Sequence, residues 1–401
     1  MDRRVVVVGL IAAAFSLSGC TRGGFYAALS GSTGDGSPDI PDSARDAQPG
    51  DGINDTAPRD STRDGDISLQ DSTVDFPSGP THAVVIAIEG LKASYVRRLA
   101  LAASPLAARV DGPPVRLLDI ADTNVRSLTR LGDGTMLAGG STTTAQRISA
   151  DGRALLGAVA FNSPAGIPDN QVVNSLHGLC TLPGGNVVAG EFDGAPGAAI
   201  AEFAVSTAGV TRVGSIAQTT VSGGTLSNCY APSNNELYFT DLDANTDSDG
   251  DVVRLLRELS GWVVVGRFDM SAFDARMNTQ ASAASAFVRH SNGSLYIFPT
   301  RRFGQQVKHL IRCSTLNLDQ AGCTLLGTLP PDTNVINGPG LINDAVQIPG
   351  RDDMLFVTNE ALYVYRLASN TTSMLLDLRF TDLLTAGSAD SVHQIRALVV
   401  F

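Results

Sequence analysis

A unit that recurs about every fifty residues constrains the fold of this chain more than any other feature. Each copy reads as a short apolar strand, a tight polar turn and a second apolar strand. Copies occupy residues 125–139, 175–190, 226–240, 284–298 and 344–358. Their turns are Gly132-Asp-Gly134, Pro183-Gly-Gly-Asn186, Pro232-Ser-Asn-Asn235, Ser291-Asn-Gly293 and Pro349-Gly-Arg-Asp352. Each turn supplies residues that tolerate positive φ, as hairpins require. One such hairpin cannot bury both of its apolar faces, so the copies must stack on one another.

Two weaker strands follow each hairpin. After the first copy they cover 145–148 and 155–161, joined by Ala150-Asp-Gly152; after the third they cover 252–259 and 262–268, joined by Ser260-Gly261. Helical periodicity is nearly absent. Four antiparallel strands per unit, repeated, predict an all-β fold of the β-propeller type over residues 81–401. Five copies are whole and a sixth is split. Residues 393–401 read as an inner strand, 83–88 as a second strand, and 94–120 can supply the outer two. The expectation is six four-stranded blades closed by both termini, which removes exposed sheet edges. Seven blades follow if 94–120 hold more strand, and a β-sandwich is the other all-β solution. The Leu-Ala-Gly-Gly and Ser-Ala-Asp-Gly pieces resemble blade repeats of bacterial secreted propeller proteins; this implies a fold and no activity.

The N-terminus carries an address. Arg3 and Arg4 precede an apolar run from Val5 to Leu17, shorter than the ~20 residues that span a bilayer. Then comes Leu17-Ser-Gly-Cys20. These residues resemble a bacterial lipoprotein signal with its lipobox. The resemblance implies removal of residues 1–19 and lipidation of Cys20. Several acyl chains would hold the chain on a membrane, at ~0.8 kcal/mol per buried methylene. Thr21, in place of the Asp that retains such proteins at the inner membrane of enteric bacteria, points to the outer membrane of a Gram-negative cell envelope. Residues 31–80 hold eleven Asp, no Glu and three Arg. Such a stretch cannot bury enough apolar surface to offset its ordering entropy, so residues 20–80 read as a disordered acidic tether.

In an oxidising compartment the four cysteines after Cys20 predict disulfides. Cys313 and Cys323 flank a short hairpin between outer strands and are expected to pair. Cys180 and Cys229 lie on inner strands of neighbouring blades, where pairing depends on an approach within roughly 7 Å that sequence leaves open.

Local catalytic motifs are missing: there is no Gly-x-Ser-x-Gly, phosphate loop, dinucleotide fingerprint, His-Glu-x-x-His or Cys-x-x-Cys. Aligning the copies on their turns puts Arg126, His177, Ser285, Asn343 and His393 in one register. If that face points inward, it forms a polar lining of the central channel, either a ligand site at one mouth or simply a solvated wall. A second constellation alternates oxygen-bearing side chains at Asp243, Asn245, Asp247, Asp249 and Asp251, with Gly250 in the turn. It resembles an Asp-x-Asp-x-Asp-Gly calcium loop, with Leu256 where that family has a bidentate Glu. Calcium is therefore the candidate cofactor; a long acidic loop is the alternative.

The chain has 29 basic against 40 acidic residues, no basic stripe and a single Trp, which argues against nucleic acid. The expected function is a membrane-anchored, non-enzymatic binding or scaffold lipoprotein that engages a protein or glycan. The alternatives are a polysaccharide lyase or hydrolase using His177 and His393, and a structural envelope component with bound calcium.

Overall fold

Strand-forming runs bounded by Gly, Asn and Asp become six antiparallel sheets in a computed structural model of the chain. The structure describes residues 82–90, 93–104, 106–117, 125–162, 173, 175–190, 200–206, 209–216, 226–241, 251–259, 261–270, 283–300, 309–314, 318, 320–329, 342–377 and 393–401. Cys20, the acidic tether and Asp243 to Asp249 lie outside these residues. Among the described residues no helix is long and apolar enough to cross a membrane.

The first described strands are β1 (His82–Gly90), β2 (Ser94–Ala103), β3 (Leu106–Val110) and the short β4 (Val115–Arg116). Blade one follows: β5 (Val125–Arg130), β6 (Met136–Gly140), β7 (Thr144–Ile148) and β8 (Leu155–Ala160). Blade two is β9 (Gly178–Thr181), β10 (Val187–Gly190), β11 (Ile200–Val205) and β12 (Val210–Ile216). Blade three is β13 (Leu226–Ser233), β14 (Glu236–Asp241), β15 (Asp251–Glu258) and β16 (Gly261–Phe268). Blade four is β17 (Ala283–Arg289), β18 (Ser294–Thr300), β19 (His309–Ser314) and β20 (Cys323–Thr328). Blade five is β21 (Asp344–Gln347), β22 (Met354–Val357), β23 (Ala361–Arg366) and β24 (Thr371–Asp377). The last strand, β25 (His393–Val400), then pairs with β1 and completes blade six in the order β25-β1-β2-β3. Strands β2 and β3 thus supply the outer strands of that blade, with β4 extending the pairing of β2, and among the described residues there is no seventh sheet.

The turns explain why the hairpins repeat. In blade one Leu131 N donates to Thr135 O at 2.7 Å and Gly134 N to Leu131 O at 2.9 Å. The same pair of bonds recurs at Leu182 to Asn186 and at His290 to Ser294. Gly134, at φ 85°, takes the left-handed position that closes a three-residue loop with a bulge.

The second strands of the blades are buried along most of their length on both faces, and the period of two sorts their residues. In β1, Val84, Ile86 and Ile88 pack with Leu355, Val357 and Val364 of blade five. The alternate residues Val85 and Ala87 pack with Val125, Met136 and Ile148 of blade one. Six apolar clusters among the described residues fill the six blade-to-blade interfaces in turn. The inner strands β5, β9, β13, β17, β21 and β25 are successive neighbours, and β25 returns to β5. The protein is a six-bladed β-propeller whose ring is closed by the pairing of β25 with β1.

Candidate functional site

All six inner strands converge on a cavity of about 710 Å³. They run in the same sense around it. Near their starts, Asn228 of β13 reaches the Asn343 carbonyl at 3.4 Å, and Asn343 Nδ2 donates to Ile395 O in β25. Near their ends, Thr129 and Thr181 hydrogen bond at 3.1 Å, and Ser291 N donates to Gln347 Oε1 at 2.9 Å. The cavity therefore has a starting mouth and a hairpin mouth.

At the starting mouth an acidic residue from a second strand organises two cations. Arg126 Nη1 lies 3.1 Å from Glu89 Oε2, and Arg396 Nε donates to the same oxygen. Glu89 sits in β1, Arg126 in β5 and Arg396 in β25, so this triad depends on the closed ring. Asn343 Nδ2 also donates to Asn359 Oδ1 at 2.8 Å. Asp344, next in the chain, accepts from the amides of Ala345 at 2.8 Å and Leu398 at 2.9 Å. Burial pushes its carboxyl up to about 6, and the hydrogen bonds restrain the rise.

The residues expected to share one inward register separate in space. Arg126 and Asn343 line the cavity. His177 is 6% exposed, shares a 3.3 Å hydrogen bond with Ser141 Oγ, and feels the charges of Arg126 and Arg396. Burial first, then those two charges, push its imidazole down to about 3, so it is neutral at pH 7. Ser285 lies in β17 and His393 begins β25 opposite Gly90; their side chains fall outside the described residues. Of the calcium candidates only Asp251 is described. Its carboxylate is fully buried, accepts from Met270 N at 3.2 Å, and lies 3.7 Å from Arg267 Nη1. Among the described residues no group of three or more His, Cys, Asp or Glu is placed to hold a metal.

Both cysteine pairs are joined. Cys313 and Cys323 face each other across the outer strands β19 and β20 with Cα atoms 4.0 Å apart. Cys180 and Cys229 connect β9 to β13 with Cα atoms 5.3 Å apart, and both line the cavity. This second bridge stitches blade two to blade three at the wall.

What sequence reading missed is a set of arginines. Arg130, Arg289, Arg351 and Arg396 line the cavity together with Arg126. A signal was present: Arg130 and Arg289 each stand two positions before the hairpin turn, in copies one and four. The alignment on the turns was read only at the strand starts, and these two residues lie at the strand ends.

No family model matches the chain, and no curated protein matches it. Solved structures of similar shape include the C-terminal WD40 domain of Sif2, which is 11% identical with a TM-score of 0.38. That match covers 73% of this chain and 69% of the other. Another is U3-55K, 10% identical with a TM-score of 0.40, covering 75% of this chain and 82% of the other. With likeness this low, the blade count rests on the sheet topology of the chain itself.

Proposed function

We propose that this chain is a lipid-anchored, non-enzymatic binding protein of a bacterial cell envelope, held at the outer membrane through Cys20 and presenting its propeller at the end of an acidic tether. The observation that carries the binding part is the cavity on the ring axis, about 710 Å³ in volume and walled by all six inner strands. Sites that hold small ligands or the ends of larger ones fall in the range of roughly 300–1,000 Å³ and combine apolar walls with a few convergent polar groups. The lining here has that make-up, with Leu179, Phe287 and Val346 among arginines, amides and hydroxyls. An enzymatic reading built on His177 gains nothing from its position, since the imidazole is buried rather than set in the cavity wall.

One experiment addresses both parts. The full chain is produced in cells fed labelled palmitate and then used to capture partners from envelope fractions. Label enters the wild type and is lost in Cys20→Ala. Capture is lost in Ser291→Trp, which places a large ring at an exposed position of the cavity rim. Label retained by Cys20→Ala would reject the anchor. Capture unaffected by Ser291→Trp would reject the cavity as the binding site.

A further inference from the structure

Two arginines from opposite blades line the hairpin end of the cavity, and among the described residues neither has an acidic partner. Blades one and four are opposite in the ring, and Arg130 and Arg289 occupy the same position in each. Arg130 Nε donates to the Gly134 carbonyl at 3.4 Å, and its guanidinium lies 5.0 Å from the Phe401 ring. Arg289 Nη1 donates to the His290 carbonyl at 2.8 Å, while its Nε is buried with no hydrogen-bond partner among the described residues. The other cavity arginines are matched: Arg126 and Arg396 by Glu89, and Arg351 by Asp353 at 2.8 Å. Of the two cavity aspartates, Asp344 is tied to backbone amides and Asp352 is exposed in the blade-five turn.

Arg130 is exposed at the rim, whereas the buried Arg289 Nε is unfavourably placed until an acceptor such as an anion completes it. The planar guanidinium fork matches a carboxylate bidentately. Beside Arg289 stands Tyr230, which lines the cavity and is 42% exposed, close enough for the Arg289 charge to act on its phenol. An exposed aromatic face next to an unmatched cation suits a ring that is apolar on its face and acidic at its edge. Thr181 adds a hydroxyl in the same wall.

Resting on the cavity-binding reading above, we propose that the hairpin mouth takes an acidic saccharide, with Arg130 and Arg289 holding its carboxylates and Tyr230 stacking on a sugar ring. The ligand class is thus a uronate-type glycan, and the two cations explain why an otherwise acidic chain has a basic centre.

The test is calorimetric titration of the full chain in detergent with oligogalacturonate, with a neutral oligoglucoside of equal length, and with polyglutamate. Oligogalacturonate alone is expected to bind, more weakly as salt is raised. Arg289→Gln and Tyr230→Ala should each weaken binding by about tenfold. Arg312→Gln, on an outer strand, should leave it unchanged, and Arg289→Lys should recover part of the loss. Equal binding of the neutral oligomer, or full affinity in Arg289→Gln, overturns the anionic assignment. Binding of polyglutamate that ignores Tyr230→Ala overturns the saccharide in favour of an acidic peptide. If no probe binds while Ser291→Trp still abolishes envelope capture, this inference falls and the cavity-binding reading stands.

Discussion

His177 shows how the centre of the ring sets the charge of a single side chain. Its folded value of about 3 compares with roughly 6.5 for an exposed imidazole. The unfolded chain therefore binds the extra proton between these values, and the stability given by the neutral imidazole is lost as pH falls through 6.5. Asp344 acts in the opposite sense. Its carboxyl titrates near 6 when folded, so the stability it gives is full below about pH 4 and is lost as pH rises through 6. The histidine covers the wider window and wins. At pH 4.5 its protonation in the unfolded chain costs on the order of 2–3 kcal/mol, offset in part by Asp344. His177→Gln should therefore make the urea midpoint rise between pH 7 and pH 4.5, where the wild type stays level or falls. Identical pH profiles for the two proteins would refute a buried neutral imidazole. The sequence marks His177 as a residue near the ring, since it stands near the start of the second copy. Its burial was not legible, because a one-residue shift in register turns a side chain to the other face of a strand.

At the scale of strands and turns, the two disulfides do different work. The Cys313–Cys323 bridge closes a separation of 10 residues inside one blade, whereas Cys180–Cys229 closes 49 residues between two blades. On the loop-entropy account the shorter bridge contributes about 3 kcal/mol at most and the longer about 4 kcal/mol. Replacing both members of the inter-blade pair by Ser should lower the melting temperature more than the same change at Cys313 and Cys323. The reverse order by calorimetry would show that the blade two to blade three seam is held by its apolar cluster alone. The hairpins were legible because Gly134, Gly185 and Gly293 sit where the turn needs positive φ. The first bridge was legible for a related reason, since its cysteines flank one short hairpin. The second was not, because the distance between inner strands follows from the number of blades and their closure, which no local pattern encodes. The cavity arginines were hidden in the same way: Arg130 and Arg289 are 159 positions apart in sequence numbering and come to line one cavity only in the finished ring.

For the whole molecule the decisive pairing is β25 with β1, whose register runs from Val84–Val400 to Gly90–His393. Removing residues 393–401 strips the inner strand from blade six. It also removes Arg396 from the Glu89 triad and Phe401 from beneath Arg130. The bare edge of β1 is apolar and buried along most of its length in the closed ring. Such an edge pairs readily with another chain. The truncated protein should elute as aggregates and lose its sharp thermal transition. A monomeric, cooperatively melting truncation would show that five blades and a partial sixth suffice. The six-fold architecture itself was legible, down to the split blade, because every unit carries the same strand and turn grammar. What the ring encloses was not, because that belongs to no single unit.

The Glu89–Arg396 link joins residues 307 apart, and this bears on timing. Contacts of such separation form late, after the entropy of closing a long loop has been met. A chain made from its N-terminal end displays β1 long before β25 exists to cover it. Every shorter product is therefore an open arc with a sticky edge and an incomplete charge triad. The closing strand thus acts last: the walls of the central cavity come together only when β25 has arrived to pair with β1.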